Sequence, residues 1–441
     1  MDAPRRRLGP ASAVALVVAS MIGSGIFTTS GLLLEQLGTP LRVLAVWLAG
    51  GVVALCGALC YGALGRRFPE SGGEYHLLRE TVHPLAGFLA GWVSLLAGFT
   101  GPAAAAAIGL GLYLAPWFGG ADWRLTASAA ILLVVLLHAF RTGAGAVAQN
   151  LVVAVKVLLL AAFAAYGAVR ILGGGAAAAP AAAAAPPPEL DWGAVAVALV
   201  WVSFGYSGWN AAVYLAGELR EPDQHLRRSL LLGAGLVTAL YLALNAVFLA
   251  AAPAAELAGT YEVGAVAAEA LGGPALAQAV RGLVALALFT SLSSLVMLGP
   301  RVYARMAEDG LFPRLFRYRG RAPAAAVALQ GGLALGAVWF SELGTLLGYL
   351  GFTLGLSAAA TVLGLVRRRR REGATALPVP GWPLVPALYL VVTLGASAYM
   401  AWREPLPSLL GLGTIALGLP LWWRLRRHAT AAAGPAARGR P

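Results

Sequence analysis

Charged residues are scarce in this chain: 12% of its 441 residues are Asp, Glu, Lys or Arg, against 59% apolar ones. With a mean hydropathy of +0.76, that balance excludes a soluble domain, because so few polar groups cannot cover a water-facing surface of this size. Histidine is also sparse. His76, His83, His138, His225 and His428 all fall in loops or at the ends of apolar runs, so none is placed as a base deep in a membrane. Of only two cysteines, Cys56 and Cys60 lie one helical turn apart in an apolar run and read as small packing residues. The expected outer loops contain no cysteine, so no disulfide-linked accessory subunit is expected. The single low-complexity stretch, Gly173 to Pro188, is rich in Gly, Ala and Pro and cannot build a core.

Long apolar runs are abundant. Windows of roughly 20 apolar residues, enough to cross a hydrocarbon layer of roughly 30 Å, fall near 11–34, 41–65, 85–115, 124–140, 147–171, 192–217, 229–252, 276–304, 323–340, 345–366, 383–402 and 405–424. The chain is therefore expected to be an all-α polytopic membrane protein with about twelve spans. Three arginines ahead of the first run imitate a secretion signal, but the run exceeds a signal's usual length and reads as a retained span. The net charge of +13 sits on alternate loops, as membrane orientation requires, so nucleic acid is not an expected partner. Arg5 to Arg7, Arg66, Arg67, Arg79, Arg141, Arg220, Arg227, Arg228, the set from Arg301 to Arg321, the run Arg367 to Arg371 and the C-terminal arginines share one side if both termini are cytoplasmic. Only Arg42, Arg124, Arg170, Arg281 and Arg403 fall on the other. Localisation in the cell membrane follows as the expectation.

Two of the spans are interrupted. Met21-Ile22-Gly23-Ser24-Gly25-Ile26-Phe27 in the first is echoed by Val202 to Ala211 in the sixth, which holds Phe204, Gly205, Tyr206, Ser207, Gly208, Trp209 and Asn210. Unwound backbone within a bilayer is tolerated only where it is buried in protein or lines a wet cavity. Five is an odd number of spans, so a second set of five enters the membrane inverted, and the breaks mark a shared site near the midplane. The divisions expected are 1–172 and 192–366 for the two repeats, 173–191 for an external linker, and 367–441 for the last two spans and the tail. Gly23 and Gly25 permit unusual backbone, and the outer half-helix that starts after them presents free N–H groups to an anion at the positive end of its dipole; Gly23, Ser24 and Gly25 are the expected site residues here. The carbonyls of Met21, Ile22, Phe204 and Ser207 suit an ammonium. Carboxylate beside ammonium describes an α-amino acid; the plainer alternative for the glycines is close helix packing.

Lys156 lies nine residues beyond Val147, about 14 Å into the membrane at 1.5 Å per residue. Snorkelling from that depth is difficult, which favours a buried role. Its ammonium can take the place of a sodium ion among the carbonyls of the first break and the hydroxyls of span eight, where Thr290, Ser291, Ser293 and Ser294 cluster. Lys156, Ser293 and Ser294 are the expected coupling residues, with a fixed tether and a proton carrier both open for the lysine. Phe204 and Trp209 flank the second break and can close over a ligand.

At these residues the chain resembles the amino acid–polyamine–organocation superfamily, and most closely its L-type amino acid transporter branch. The resemblance rests on Ile22 to Phe27, on Pro69-Glu70-Ser71-Gly72-Gly73-Glu74-Tyr75, on Phe204 to Asn210 followed by Glu218, and on Gly299 to Gly310. It implies a five-plus-five inverted repeat of the leucine-transporter (LeuT) type, alternating access, amino acid substrates and sodium independence through the lysine of span five. L-type carriers typically have Gly where Ser207 stands, which implies a narrower pocket here and small neutral substrates.

Two rivals belong to other classes. Gly205-Tyr206-Ser207-Gly208 fits the pattern of an intramembrane serine hydrolase, which needs a base within reach of Ser207. A channel or nutrient sensor on the same fold is the other, and the sequence leaves it open, although a channel needs a continuous polar lining and these spans are almost uncharged. The expected activity is secondary transport of amino acids by exchange or proton symport, with no catalytic residue, cofactor or metal, and with the amino acid and the lipid bilayer as partners.

Overall fold

The computed structural model describes residues 9–140, 146–174, 189–317 and 324–432, with side chains for all of these except 140, 146–150 and 426–432. Arg5 to Arg7, Arg141, Arg321, most of the 173–191 linker and the end of the tail lie outside the described residues. Helices dominate what is described. In chain order they are α1 (Pro10–Met21), α2 (Ser24–Thr28), α3 (Ser30–Leu37), α4 (Pro40–Arg67), α5 (Gly73–Thr81), α6 (Pro84–Val93), α7 (Gly101–Leu114), α8 (Trp123–Phe140) and α9 (Ala146–Leu172). Beyond the linker come α10 (Trp192–Gly205), α11 (Ala211–Tyr214), α12 (Pro222–Ala251), α13 (Ala254–Leu257), α14 (Val263–Glu308), α15 (Ala324–Phe340), α16 (Leu343–Glu372), α17 (Leu384–Arg403) and α18 (Pro405–Ala432).

Among the described residues nine helices are long and apolar enough to cross a membrane. Shorter apolar helices, Trp123–Ala139, Trp192–Gly205 and Ala324–Phe340, occupy the stretches expected to be spans four, six and nine. The outward faces of the long helices are apolar as well: Leu151, Leu158 and Val169 on α9, and Val391 and Leu409 on α17 and α18, are exposed, as a lipid-facing wall requires. Trp117 and Trp402 sit exposed at helix ends and Trp423 is exposed within α18, whereas Trp422 is buried against Phe88, ring centroids 5.3 Å apart. It packs the core rather than anchoring the interface.

Proline starts several helices, at α1, α4, α6 and α12, where its missing N–H has no helical partner to lose. Between α6 and α7 the third span passes through one π-helical stretch, Ser94–Thr100, a widening of the turn found frequently at functional sites. The apparent 46-residue α14 is two rods, because Gly272 and Gly273 leave helical geometry within it. Only its second part, from Pro274 on, continues into the expected span eight. The core is arranged around α1: α12 packs along both α1 and α4, and α7 packs along α14.

Candidate functional site

The first span breaks where the sequence places it. After α1 the chain passes through Ile22 (φ −76°, ψ 86°) and Gly23 (φ −124°, ψ −154°) and restarts at Ser24. Neither Gly23 nor Gly25 has a positive φ, so conformational freedom is not why the second glycine is needed. A Cβ on Gly25 would lie 2.4 Å from the Gly205 Cα, and the two breaks touch through this pair. The second break does use glycine's freedom. Gly208 has φ 101°, and a Cβ there would fall 2.6 Å from the Ser20 carbonyl. Beyond it only the four-residue α11 and a single turn, Ala216–Glu218, stand where the inner half-helix was expected.

Three side chains brace the first break. Lys156, 1% exposed, donates from Nζ to the Ile22 carbonyl at 3.2 Å. Ser291 Oγ donates to the same oxygen at 2.6 Å. Tyr241 Oη lies 2.6 Å from the Met21 carbonyl and 3.2 Å from that of Gly205, so one hydroxyl of α12 spans both breaks. A carbonyl has two lone pairs, and those of Ile22 are both taken. Ile22 therefore stands behind the site as the partner of Lys156, not in its wall as an ammonium acceptor.

A cavity of about 500 Å³ opens at the junction of the breaks, lined by Met21, Gly23, Ser24, Gly25, Phe204, Ser207 and Trp209 of the expected residues. Its wall continues past Glu74 to Arg301, Arg305 and Glu308 at the end of α14. Toward the start of α4 the way is filled: Trp47, Tyr206 and Tyr241 are buried and mutually packed, with ring centroids 5.3–5.6 Å apart. Further that way the Gly31 carbonyl accepts from the Gly259 N–H at 2.9 Å and that of Phe27 from Tyr113 Oη at 3.0 Å. The cavity is thus blind at one end and open at the arginine-rich end.

Of the expected coupling serines, Ser294 lines the cavity and donates to the Thr290 carbonyl at 2.9 Å. Ser293 is not brought to the break. Its Oγ meets His138 Nε2 of α8 at 2.8 Å, since at 3.6 residues per turn Ser291 and Ser293 point in nearly opposite directions. Ser291 holds the place given to Ser293. Glu218 of the resemblance motif faces Arg301 at 3.9 Å. No hydrogen bond joins Ser207 to histidine or lysine among the described residues, and Lys156 is engaged at Ile22, so a hydrolytic base for Ser207 is missing from this set.

Glu74 went unnoticed as a site residue. It is 4% exposed and its carboxylate accepts from Tyr61 Oη (2.7 Å), Asn210 Nδ2 (3.1 Å), Tyr214 Oη (3.4 Å) and Ser357 Oγ (3.4 Å). Burial pushes its carboxyl above the usual range, opposed by these four donors. The signal available in sequence was an acidic residue between two glycines and an aromatic.

Comparison with known proteins agrees with this architecture. The chain is 29% identical over 429 residues to the rat large neutral amino acids transporter small subunit 2, covering 95% of this chain and 80% of the relative. It is 28% identical over 429 residues to the mouse Asc-type amino acid transporter 1, covering 95% and 81%. With the human b(0,+)-type amino acid transporter 1 it shares 27% identity over 401 residues, covering 88% and 81%. These relatives are transporters by name, not enzymes, and the amino acid permease profile matches residues 8–408, so the chain belongs to the amino acid permease family.

Proposed function

We propose that this protein is a sodium-independent secondary transporter of small neutral L-amino acids, working by alternating access as an exchanger or proton symporter in the cell membrane. The observation that carries this is the meeting of two broken helices at Gly25 and Gly205 beside a cavity closed on one side only. The substrate carboxylate lies on the N–H groups of Ser24 and Gly25 at the start of the outer half-helix. Its ammonium is taken by carbonyls of the second break, Phe204 and Ser207, with Met21 contributing from the first. Phe204 and Trp209 exclude water, and Ser207 limits the side chain.

In this scheme 1–172 and 192–366 are inverted repeats, both termini are cytoplasmic, and the arginine-rich mouth of the cavity faces the cytoplasm, which makes this the inward-facing state. Lys156 supplies the positive charge that a sodium ion would otherwise bring to the Ile22 carbonyl. No disulfide-linked subunit takes part, since both cysteines are buried in α4. The test is uptake of a panel of labelled amino acids into proteoliposomes, varying sodium, pH and internal substrate independently. Saturable, stereoselective uptake stimulated by internal amino acid and indifferent to sodium is expected. Flux without saturation or trans-stimulation would instead identify a pore.

A further inference from the structure

Transport as proposed leaves one buried charged group without a task. Glu74 lies in the first turn of α5, ahead of the third span, and borders the cavity between the breaks and the arginine-rich mouth. Its donors come from separate parts of the molecule: Tyr61 on α4, Asn210 beside the second break, Tyr214 on α11 and Ser357 on α16. All four are neutral, and Glu74 forms no salt bridge among the described residues.

The surrounding titratable groups leave it so. Facing it are the phenols of Tyr61, Tyr214 and Tyr389, from α4, α11 and α17. The charged residues of its own helix are turned elsewhere: His76 meets Glu70 at 2.9 Å and Arg79 meets Asp309 at 3.0 Å. Across the cavity Arg301 faces Glu218, and Arg305 faces Asp309 at 3.6 Å; α16 offers Ser357 alone, its arginines lying at the far end of the helix. A carboxylate taken from water without a cation is stable only while its hydrogen bonds hold, and it otherwise takes up a proton.

The two oxygens are unequal. Oε1 accepts the shorter contacts, from Tyr61 and Asn210, whereas Oε2 accepts the 3.4 Å contacts from Tyr214 and Ser357. A proton on Oε2 turns that oxygen from acceptor into donor, so the hydroxyls of Tyr214 and Ser357 can no longer both point at it. Tyr214 ends α11, the inner piece of the second broken helix.

We propose that Glu74 is a proton-binding site of the carrier, taking a proton from cavity water onto Oε2, and that only the ionised form ties the inner piece of the second broken helix to α16. One O–H bond forms on binding and breaks on release, and the proton returns to the same water. This rests on the transporter reading and assigns a proton-coupling residue distinct from Lys156.

The test uses the full chain in proteoliposomes, with exchange of labelled L-alanine, or the panel's best neutral amino acid, followed at equal pH inside and out. The wild type is expected to change rate across one pH interval, and Glu74→Gln to be flat across it while still exchanging. Tyr61→Phe removes a donor to the ionised form, so its midpoint should move up by about one pH unit. An unaltered pH profile in Glu74→Gln overturns the proposal, as does a Tyr61→Phe midpoint that stays or falls. Should Glu74→Gln not fold, the direction of the Tyr61→Phe shift decides alone. Loss of lysine or arginine uptake in Glu74→Gln at an unaltered pH profile would mark a counter-charge for cationic substrates and also overturn it. Wild-type uptake indifferent to pH sinks the proton site only; no wild-type uptake of any amino acid sinks the transporter reading itself.

Discussion

The two breaks are held in opposite ways. Around the first, side chains from three distant helices donate into backbone carbonyls: Lys156 and Ser291 into Ile22, and Tyr241 into Met21. Around the second, the backbone closes on itself through short turns such as Ser207 N–H to the Phe204 carbonyl at 2.8 Å, and its polar side chains, Asn210 and Tyr214, reach out to a carboxylate. The first is therefore held through its carbonyls by Lys156, Ser291 and Tyr241, and the second mainly by its own turns and by side chains that reach Glu74. Helix ends leave carbonyls and N–H groups in need of partners, and within a membrane the protein supplies them from wherever the chain packs nearest.

Several substitutions test this contrast. The largest effect is expected from Lys156→Ala. A hydrogen bond from a charged group contributes about 1.5–3 kcal/mol, so exchange should fall at least about tenfold while the protein still inserts and elutes as a single species. Wild-type flux in that variant would remove the lysine from the mechanism. Next is Gly208→Val, which combines a left-handed backbone with a clash against Ser20. A loss of about 1–3 kcal/mol should appear as a lower thermal midpoint in detergent, and an unshifted midpoint would mean the turn is less constrained than the φ of 101° implies.

Smaller effects separate the pinned carbonyl from its surroundings. Tyr241→Phe deletes one hydroxyl shared by the two breaks; at about 0.5–1.5 kcal/mol per hydrogen bond, exchange should change only a few-fold, read from initial rates. An effect as large as that of Lys156→Ala would make Tyr241 the principal brace. The finest comparison is Ser291→Ala against Ser293→Ala. Removing the Ser291 hydroxyl strips the Ile22 carbonyl of one donor and should lower exchange several-fold, by about 1 kcal/mol. Ser293→Ala affects only the contact with His138 and should leave exchange near wild type. Equal effects would erase the distinction between the two faces of α14.

Legibility from sequence varied with how local the cause was. The spans were readable because a bilayer requires contiguous apolar windows, and the breaks because glycine and polar residues interrupt them in matching places. Lys156 was readable by its depth. Composition marks a hydroxyl cluster at Thr290, Ser291, Ser293 and Ser294, whereas which serine faces the break depends on the rotation of α14 against α8 and α1. Gly25 was credited with backbone freedom, although what it provides is room for Gly205, a residue 180 positions away in the chain.

A many-spanned apolar bundle, two interrupted spans and a lysine deep in span five are written into short stretches of residues, since each follows from neighbours in the chain and from the cost of polar groups in hydrocarbon. Which carbonyl the lysine holds, which serine joins it, that one tyrosine bridges both breaks, and that Glu74 gathers donors from separate regions of the chain are set by how the helices pack. Those outcomes depend on the rotation and approach of whole helices, which many distant contacts fix together and no short stretch encodes.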